Sequence, residues 1–288
     1  LGCMWYGIGN TALSNPSSMR VAIADDGTIT FFNGCADIGQ GTTTTMLQVV
    51  ADAVGLPMDR FRVVTGDTDA TLDAGKSSAS RQAFVSGKAS ELAGRALRER
   101  ILALVGADEP ASIAIDGARL AVRDASGEHL FDLAALVPDE HGMVIEGVGR
   151  FDPPTTPLDA DGQGVPYATY AFGAQMAEVE VDLDLGTTHV LKIVAAHDVG
   201  RALNPQQVEG QIHGGVAQGL GLALMEEYVA GRTENLHDYL IPTIGDVPPI
   251  ETLLVEDREP LGSGGAKGVG EPALIPTPPA ILGAIRHA

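Results

Sequence analysis

Hydrophobic and polar residues alternate near the start of this chain and then change to helical spacing. Residues 21–32 alternate on both sides of Asp25-Asp26-Gly27, which is typical of a turn, so this segment is predicted to form a hairpin. After Gly39-Gln40-Gly41, apolar residues recur at helical spacing from Met46 to Leu56, and Pro57 ends the pattern. The glycine-rich turn is therefore predicted to face a helix N-terminus.

Strand and helix patterns recur through the next hundred residues. Residues 61–65 are predicted to form a strand and residues 83–105 a helix, while weak alternation between turns makes residues 106–150 a small strand-rich region. Four prolines with Asp and Gly make residues 151–166 typical of an extended connector. We therefore predict an α+β fold of mixed sheets packed with helices, in two lobes, residues 1–150 and residues 151–288.

The second lobe combines a predicted hairpin with a helix that is unusually rich in glycine. Strand patterns over residues 172–183 and 190–196 are separated by turn residues, and a helical pattern then runs from Asn204 to Tyr228 with five interior glycines. Each interior glycine costs up to about 1 kcal/mol of helix stability relative to alanine. We therefore expect a neighbouring segment or a bulky cofactor to approach this helix closely. A last apolar helix is predicted from Pro272 to Ala288.

Composition and charge exclude several classes of function. The 18 basic and 38 acidic residues give a formal charge of −20, which would repel a phosphate backbone, so nucleic acid is not expected as a partner. Two cysteines, Cys3 and Cys35, are too few for an iron–sulfur cluster, which needs about four ligands. The chain has no apolar run of the roughly 20 residues that a membrane span needs, and we expect a cytoplasmic protein.

Common catalytic motifs are also absent. The chain has neither a Walker phosphate loop after a strand nor the Gly-x-Ser-x-Gly of a serine nucleophile. Its seven histidines lack the short spacing to Cys or carboxylates that is typical of metal ligands, so no metal is expected to be held directly by the protein.

Six motifs nevertheless occur in an order that is specific when taken together. They are Gly39-Gln40-Gly41-Thr42-Thr43, Gly66-Asp67-Thr68, Ser78-Ala79-Ser80-Arg81-Gln82, His197-Asp198-Val199-Gly200 with Leu203-Asn204-Pro205, Glu209-Gly210-Gln211-Ile212 with Gln218-Gly219, and Lys267-Gly268-Val269-Gly270-Glu271-Pro272. In this order they resemble the C-terminal part of the molybdopterin-binding subunit of the xanthine dehydrogenase and aldehyde oxidase family of molybdenum hydroxylases. The opening residues 4–11, together with Gly265-Ala266-Lys267, look most similar to the medium molybdopterin subunit of nicotinate dehydrogenases.

The resemblance implies a role for individual residues. Glu271 would be the catalytic base, and Tyr6 and Asn10 would face the substrate. The residues that would bind the cofactor are Gly39, Gln40, Gly41, Ser78, Ala79, Ser80, Arg81, Gln211, Lys267, Gly268, Val269 and Gly270. The metal would be held by the dithiolene of the pterin.

Structural alternatives exist for several of these residues. An isolated Glu271 could simply interact with a helix dipole, and Gln40 could belong to a plain strand-to-helix turn. Ser80 could cap a helix, and Gln211 could be an exposed helix residue. Asp198 and Asn204 are expected to organise the turn before the glycine-rich helix, with Asn204 as its N-cap.

The resemblance also implies a reaction and a complex. An enzyme of this kind would hydroxylate an electron-poor carbon of an aromatic N-heterocycle, such as nicotinate, with oxygen derived from water, and an aldehyde or a purine is the alternative substrate. The cofactor would be molybdopterin, in its cytosine dinucleotide form, with molybdenum. A second molybdopterin-binding subunit, an iron–sulfur subunit and an FAD subunit would be partners. Two alternative functions are not enzymatic. The chain could be a non-catalytic scaffold or cofactor-maturation protein, or a generic anion-binding protein.

Overall fold

The computed structural model describes residues 1–288 as two compact units. We call Leu1–Thr11, Pro166–Glu259 and Gly265–Ala288 the terminal unit, and Ala12–Val165 with Pro260–Gly264 the middle unit. The first strand therefore belongs to the same unit as the last helix, and the boundary after the connector lies at residues 165 and 166.

Eleven strands and four α-helices make up the two units. The strands are β1 (Gly2–Gly7), β2 (Ser17–Ala24), β3 (Ile29–Asn33), β4 (Phe61–Thr65), β5 (Ser112–Asp116), β6 (Arg119–Asp124), β7 (Gly127–Asp132), β8 (Met143–Phe151), β9 (Tyr170–Asp182), β10 (Thr187–Asp198) and β11 (Ile250–Val255). The helices are α1 (Thr42–Val54), α2 (Gly87–Val105), α3 (Pro205–Leu224) and α4 (Thr277–His287), with a π-helical turn at Gln82–Ser86 and short 3-10 turns at Met58–Arg60, Leu133–Ala135 and Ser263–Gly265.

The middle unit contains a four-stranded sheet, in the order β4-β3-β2-β8, and a separate antiparallel sheet, β5-β6-β7. The predicted hairpin is confirmed, because β2 and β3 are antiparallel neighbours with Val21 opposite Phe31. Helices α1 and α2 follow the predicted spans closely, and residues 106–150 are the predicted strand-rich region. One apolar core, which includes Phe31, Met46 and Leu97, joins these elements.

The terminal unit contains the second four-stranded sheet, in the order β1-β9-β10-β11. The predicted hairpin of β9 and β10 is confirmed, and β10 then pairs with β11 in parallel. A core that includes Ile193, Ile212, Val216 and Ile281 joins this sheet to α3 and α4. No helix of the chain combines the length and the apolar character that crossing a membrane requires.

Two predicted helix boundaries are wrong. Helix α3 ends at Leu224 rather than Tyr228, and α4 begins at Thr277 rather than Pro272. The delayed start of α4 follows from Pro276, which has no N–H to donate within a helix and disfavours helical backbone at the preceding residue. Proline is tolerated in the first turn of a helix, where Pro278 lies.

Candidate active site

Glu271 lies on the loop before α4, beside a residue from the other end of the chain. The side chain of Tyr6, on β1, is half-buried, and its hydroxyl donates a hydrogen bond of 2.8 Å to Oε2 of Glu271. Strand β1 brings Tyr6 here because it pairs with β9, with Tyr6 opposite Ala171. Two residues that the sequence predicted as base and substrate contact are thus brought together.

A buried ion pair holds the segment that precedes Glu271. Lys267 Nζ lies 2.6 Å from Asp198 Oδ2, and both side chains are less than a tenth exposed. The backbone adds a bond from Lys267 N to Val199 O, at 3.0 Å. Asp198 also accepts a bond from Gly200 N, so its predicted role in organising this turn is confirmed. The Lys267 ammonium, predicted to bind the cofactor, therefore has a protein carboxylate as its immediate partner.

A buried amide network holds the segment that follows Glu271. Gln175 Nε2, on β9, donates to Ala273 O at 2.8 Å and lies 3.0 Å from His197 Nε2, while Thr277 Oγ1 donates to Gln175 Oε1 at 2.6 Å. All three side chains are fully buried. Burial lowers the pKa of His197 from its usual value to about 4, so the imidazole is neutral near pH 7.

Sequence reasoning missed Gln175, His197 and Thr277 as contributors to this loop. The one signal for Gln175 was an amide at a position of β9 that the alternation assigns to the buried face. That signal identifies a buried polar group, but its partners lie 22 and about a hundred residues away along the chain.

The glycines of α3 divide into two sets. A Cβ on Gly215 would lie 2.6 Å from Ala273 Cβ, and a Cβ on Gly219 would lie 2.4 Å from Thr277 Cβ, so these two allow the segment after Glu271 to approach the helix. Gly210 and Gly214 are exposed, and nothing lies within 4 Å of the Cβ that each lacks. Gln211, predicted to contact the pterin, is half-buried between them on the same helix.

The start of α3 is capped as predicted. The side chain of Asn204 accepts a hydrogen bond from Gln207 N at 3.2 Å, and Pro205 occupies the first turn.

Asn10, the other predicted substrate contact, is half-buried in the turn that follows β1. In the glycine-rich loop, Gly268 is buried, Val269 half-buried and Gly270 exposed.

In the middle unit, the turn around Gln40 forms a self-contained network before α1. Gln40 Nε2 donates to Ala36 O at 3.0 Å and to Gln82 Oε1 at 2.9 Å, and Gln40 Oε1 accepts from Ile38 N. Both amide protons are therefore used within the chain, which leaves the second lone pair of Oε1 for any ligand. The residues flanking Gln40, Gly39 and Gly41, have φ of 103° and 80°, which few other residues adopt.

The Ser78–Arg81 loop lies beside this turn, with Arg81 as its internal support. The guanidinium is fully buried and donates to the carbonyls of Asn15, Pro16, Ala74 and Lys76. Desolvation by this burial lowers the pKa of Arg81 from its ordinary value. The side chain thus fixes the path of the loop.

The outer part of the same loop is strained. Ala79 and Ser80 have φ of 58° and 47°, a region that costs a non-glycine residue about 1 kcal/mol or more. The N-cap position of the π-helical turn is Arg81, directly after Ser80. Ser78 is exposed.

Comparison with known proteins connects these features to one family. A family model described as a molybdopterin cofactor-binding domain matches residues 1–248. The chain is 33% identical, over 284 residues, to a putative xanthine dehydrogenase molybdenum-binding subunit of Escherichia coli, covering 93% of this chain and 36% of that protein. It is 30% identical, over 278 residues, to the nicotine 6-hydroxylase large subunit of Paenarthrobacter nicotinovorans, covering 93% of this chain and 34% of that protein.

A solved structure shares the whole fold of the chain. The aldehyde oxidoreductase of Desulfovibrio desulfuricans matches with a TM-score of 0.82 and 31% identity, over 100% of this chain and 30% of that one. The chain spans about a third of the length of these relatives. On the match of the family model to most of its length, the chain belongs to the molybdopterin cofactor-binding domain family of the molybdenum hydroxylases.

Proposed function

We propose that this chain is the part of a molybdenum hydroxylase that carries its catalytic base, Glu271, and that the enzyme hydroxylates an electron-poor carbon of an aromatic N-heterocycle such as nicotinate. The observation that carries the proposal is the hydrogen bond of 2.8 Å between Tyr6 and Glu271. The nicotine 6-hydroxylase relative supports a heterocyclic substrate. The substrate-facing role of Tyr6 and Asn10 is part of the same proposal.

The geometry around Glu271 suits general base catalysis. A base must reach the proton that it removes at hydrogen-bond distance, and its carboxylate must be held in one orientation. The Tyr6 hydroxyl engages Oε2 and so orients the carboxylate that receives a proton from the attacking water-derived oxygen. A phenol donor at this distance also fixes the direction in which the carboxylate points.

In each unit, residues proposed to bind the cofactor leave backbone accessible to a large organic group. Gly39, Gly210 and Gly214 have nothing within 4 Å of the Cβ that each lacks, so backbone is open to close approach. The half-buried amides of Gln40 and Gln211 can exchange hydrogen bonds with a pterin edge. When bound, the molybdenum cofactor, which we propose is in its cytosine dinucleotide form, supplies the oxygen transfer and the two-electron oxidation.

We propose further that the chain works with a second molybdopterin-binding polypeptide, an iron–sulfur chain and an FAD chain. The relatives are about three times as long. One face of the β1-β9-β10-β11 sheet carries exposed apolar side chains: Trp5, Phe172, Met176, Leu253 and Val255 are each at least 38% exposed. We call these five residues the open sheet face, and we assign the second molybdopterin-binding polypeptide to it because exposed apolar patches mark interaction sites.

The decisive experiment compares the assembled complex with its Glu271→Gln variant. Glutamine keeps the shape of the side chain but cannot accept the proton, so we expect kcat for nicotinate to fall by at least about 10²-fold. Molybdenum and pterin content, measured by metal analysis and mass spectrometry of the extracted cofactor, should be unchanged. Activity retained by Glu271→Gln, or a purified complex without molybdenum, would contradict the proposal and favour a scaffold or maturation role.

A purine is the second candidate substrate, because the Escherichia coli relative is described as a putative xanthine dehydrogenase subunit. Steady-state kinetics with nicotinate, xanthine and an aldehyde on the same preparation separate the candidates. We expect the highest kcat/KM for nicotinate, and a higher value for xanthine would assign the enzyme to the purine hydroxylases.

A further inference from the structure

The segment after Glu271 is held at a carbonyl only two residues away from the proposed base. Gln175 Nε2 donates to Ala273 O, and this contact is fully buried. Because the peptide of Ala273 is joined to Glu271 through Pro272 alone, and proline fixes one of the backbone angles between them, the position of Ala273 O restricts where the Glu271 side chain can point.

The neighbours of Gln175 fix the orientation of its amide. A backbone carbonyl such as Ala273 O only accepts hydrogen bonds, so the atom facing it must be the nitrogen. The oxygen then accepts from Thr277 Oγ1, at 2.6 Å, and the second amide proton goes to His197 Nε2, at 3.0 Å. A flipped amide would place two acceptors against each other, so one orientation is strongly preferred.

The other side of the same segment is closed by α3. A Cβ on Gly215 would lie 2.9 Å from Leu274 N, and a Cβ on Gly219 would lie 2.4 Å from Thr277 Cβ. The segment from Ala273 to Thr277 therefore has helix backbone on one side and the Gln175 amide on the other. The packing against α3 and the contact with the Gln175 amide therefore set the position of this segment together.

We infer that Gln175 is a positioning residue for Glu271, acting through Ala273 O, and that His197 acts through Gln175 by holding its amide. Thr277 acts both through Gln175 and through the contact of its own Oγ1 with Ala273 O, at 3.2 Å. The inference rests on the proposed function, since it assigns these residues to the orientation of the proposed base. None of the three touches the reacting atoms. Their effect on turnover is exerted through the geometry of the loop, where a displacement of about 1 Å can cost about 10²-fold in rate.

Thr277→Val in the assembled complex tests the inference with little change of shape. Valine removes the hydroxyl that orients the Gln175 amide, whereas Thr277→Ser keeps it. We expect Thr277→Val to lower kcat about tenfold or more with KM little changed, and Thr277→Ser to recover most of the loss. Thr252→Val is the matched control, because it removes a hydroxyl of the same unit that pairs with His213 and not with Gln175 or Ala273. Its kcat should match the parent.

Hydrogen–deuterium exchange gives a readout that does not depend on turnover. Peptides covering residues 266–276 should exchange faster in Thr277→Val than in the parent, in Thr277→Ser or in Thr252→Val. Parental kcat in Thr277→Val, or a loss that Thr277→Ser does not recover, would overturn the positioning role while an inactive Glu271→Gln left the proposed function intact. Activity retained by Glu271→Gln would overturn the proposed function and the positioning role with it.

Discussion

His197 shows how burial sets the state of a single residue in this protein. Its imidazole is fully enclosed, and the Gln175 amide donates to Nε2, so the ring must carry its proton on Nδ1. Nδ1 is buried without a hydrogen-bond partner in the chain. A second proton would create a charge in a site that supplies no carboxylate partner, which is why the pKa falls to about 4.

This lowered pKa predicts a loss of stability in mild acid. The unfolded chain binds a proton on His197 below its ordinary pKa of 6.5, while the folded protein does not until about pH 4. The unfolded state therefore binds more protons in this window, and the contribution of His197 is complete above pH 6.5 and is lost as the pH falls toward 4, by roughly 3 kcal/mol.

Urea unfolding at several pH values measures this contribution. His197→Gln should reduce the decline in unfolding free energy between pH 7 and pH 4, whereas His189→Gln, at an exposed position of the same strand, should leave the decline as in the parent. Equal pH dependence in all three proteins would contradict the prediction.

At the scale of elements, α3 keeps glycine for two different reasons. Gly215 and Gly219 lie so close to the segment after Glu271 that a Cβ would not fit. Glycine lowers the intrinsic stability of the helix at these positions, and close packing against that segment offsets the loss. Gly210 and Gly214 face open space in this chain. We attribute the second pair to the approach of the proposed cofactor, which is a group outside the chain.

Alanine substitutions at neighbouring glycines should therefore have opposite effects on stability. Gly215→Ala is expected to destabilise the protein by about 1–3 kcal/mol, because its Cβ would lie 2.6 Å from Ala273 Cβ. Gly214→Ala should stabilise it by up to about 1 kcal/mol through helix propensity.

Thermal unfolding and cofactor content together test the two explanations. If the cofactor approaches Gly214, the stabilised Gly214→Ala variant should nevertheless bind less molybdopterin than the parent. Full cofactor content in Gly214→Ala would contradict this assignment, and a neutral effect of Gly215→Ala on unfolding would contradict the packing.

On the scale of the whole molecule, the open sheet face is a set of large apolar side chains that remain exposed to solvent. Its members project from β1, β9 and β11, on the side opposite the buried residues Ile193 and Ala195. Removing exposed apolar side chains such as these from water is favourable, so they favour association with a partner.

We expect Trp5→Ser to weaken association with the proposed second molybdopterin-binding polypeptide by about tenfold or more, because Trp side chains contribute strongly to binding at protein interfaces. Trp5 is 74% exposed, and Val137, at 90%, lies in the middle unit and provides the control variant Val137→Ser. Size-exclusion chromatography of the co-expressed chains measures the complex that forms. Equal recovery for both variants would remove the open sheet face from the interface.

Much of the local structure could be predicted because it depends on neighbours in sequence. Alternation and turn residues predicted the hairpins of β2 with β3 and of β9 with β10, and the Asn204 cap was predicted from residue type. The predicted start of α4 was less accurate, because several prolines lie close together there and each can precede or begin a helix. The roles of the cofactor-binding residues came from resemblance and stay predictions.

The sequence by itself determined the two hairpins, the four helices to within a few residues of their ends, and which family the chain resembles, because those properties depend on short-range backbone preferences and on the order of motifs. Strands β1 and β11 were not predicted. Only the tertiary structure decided that Tyr6 meets Glu271, that Asp198 neutralises Lys267, and that a buried amide holds Ala273. These contacts join residues 69 to 265 positions apart. Sheet pairing and burial, which no local pattern encodes, bring such residues within hydrogen-bond distance.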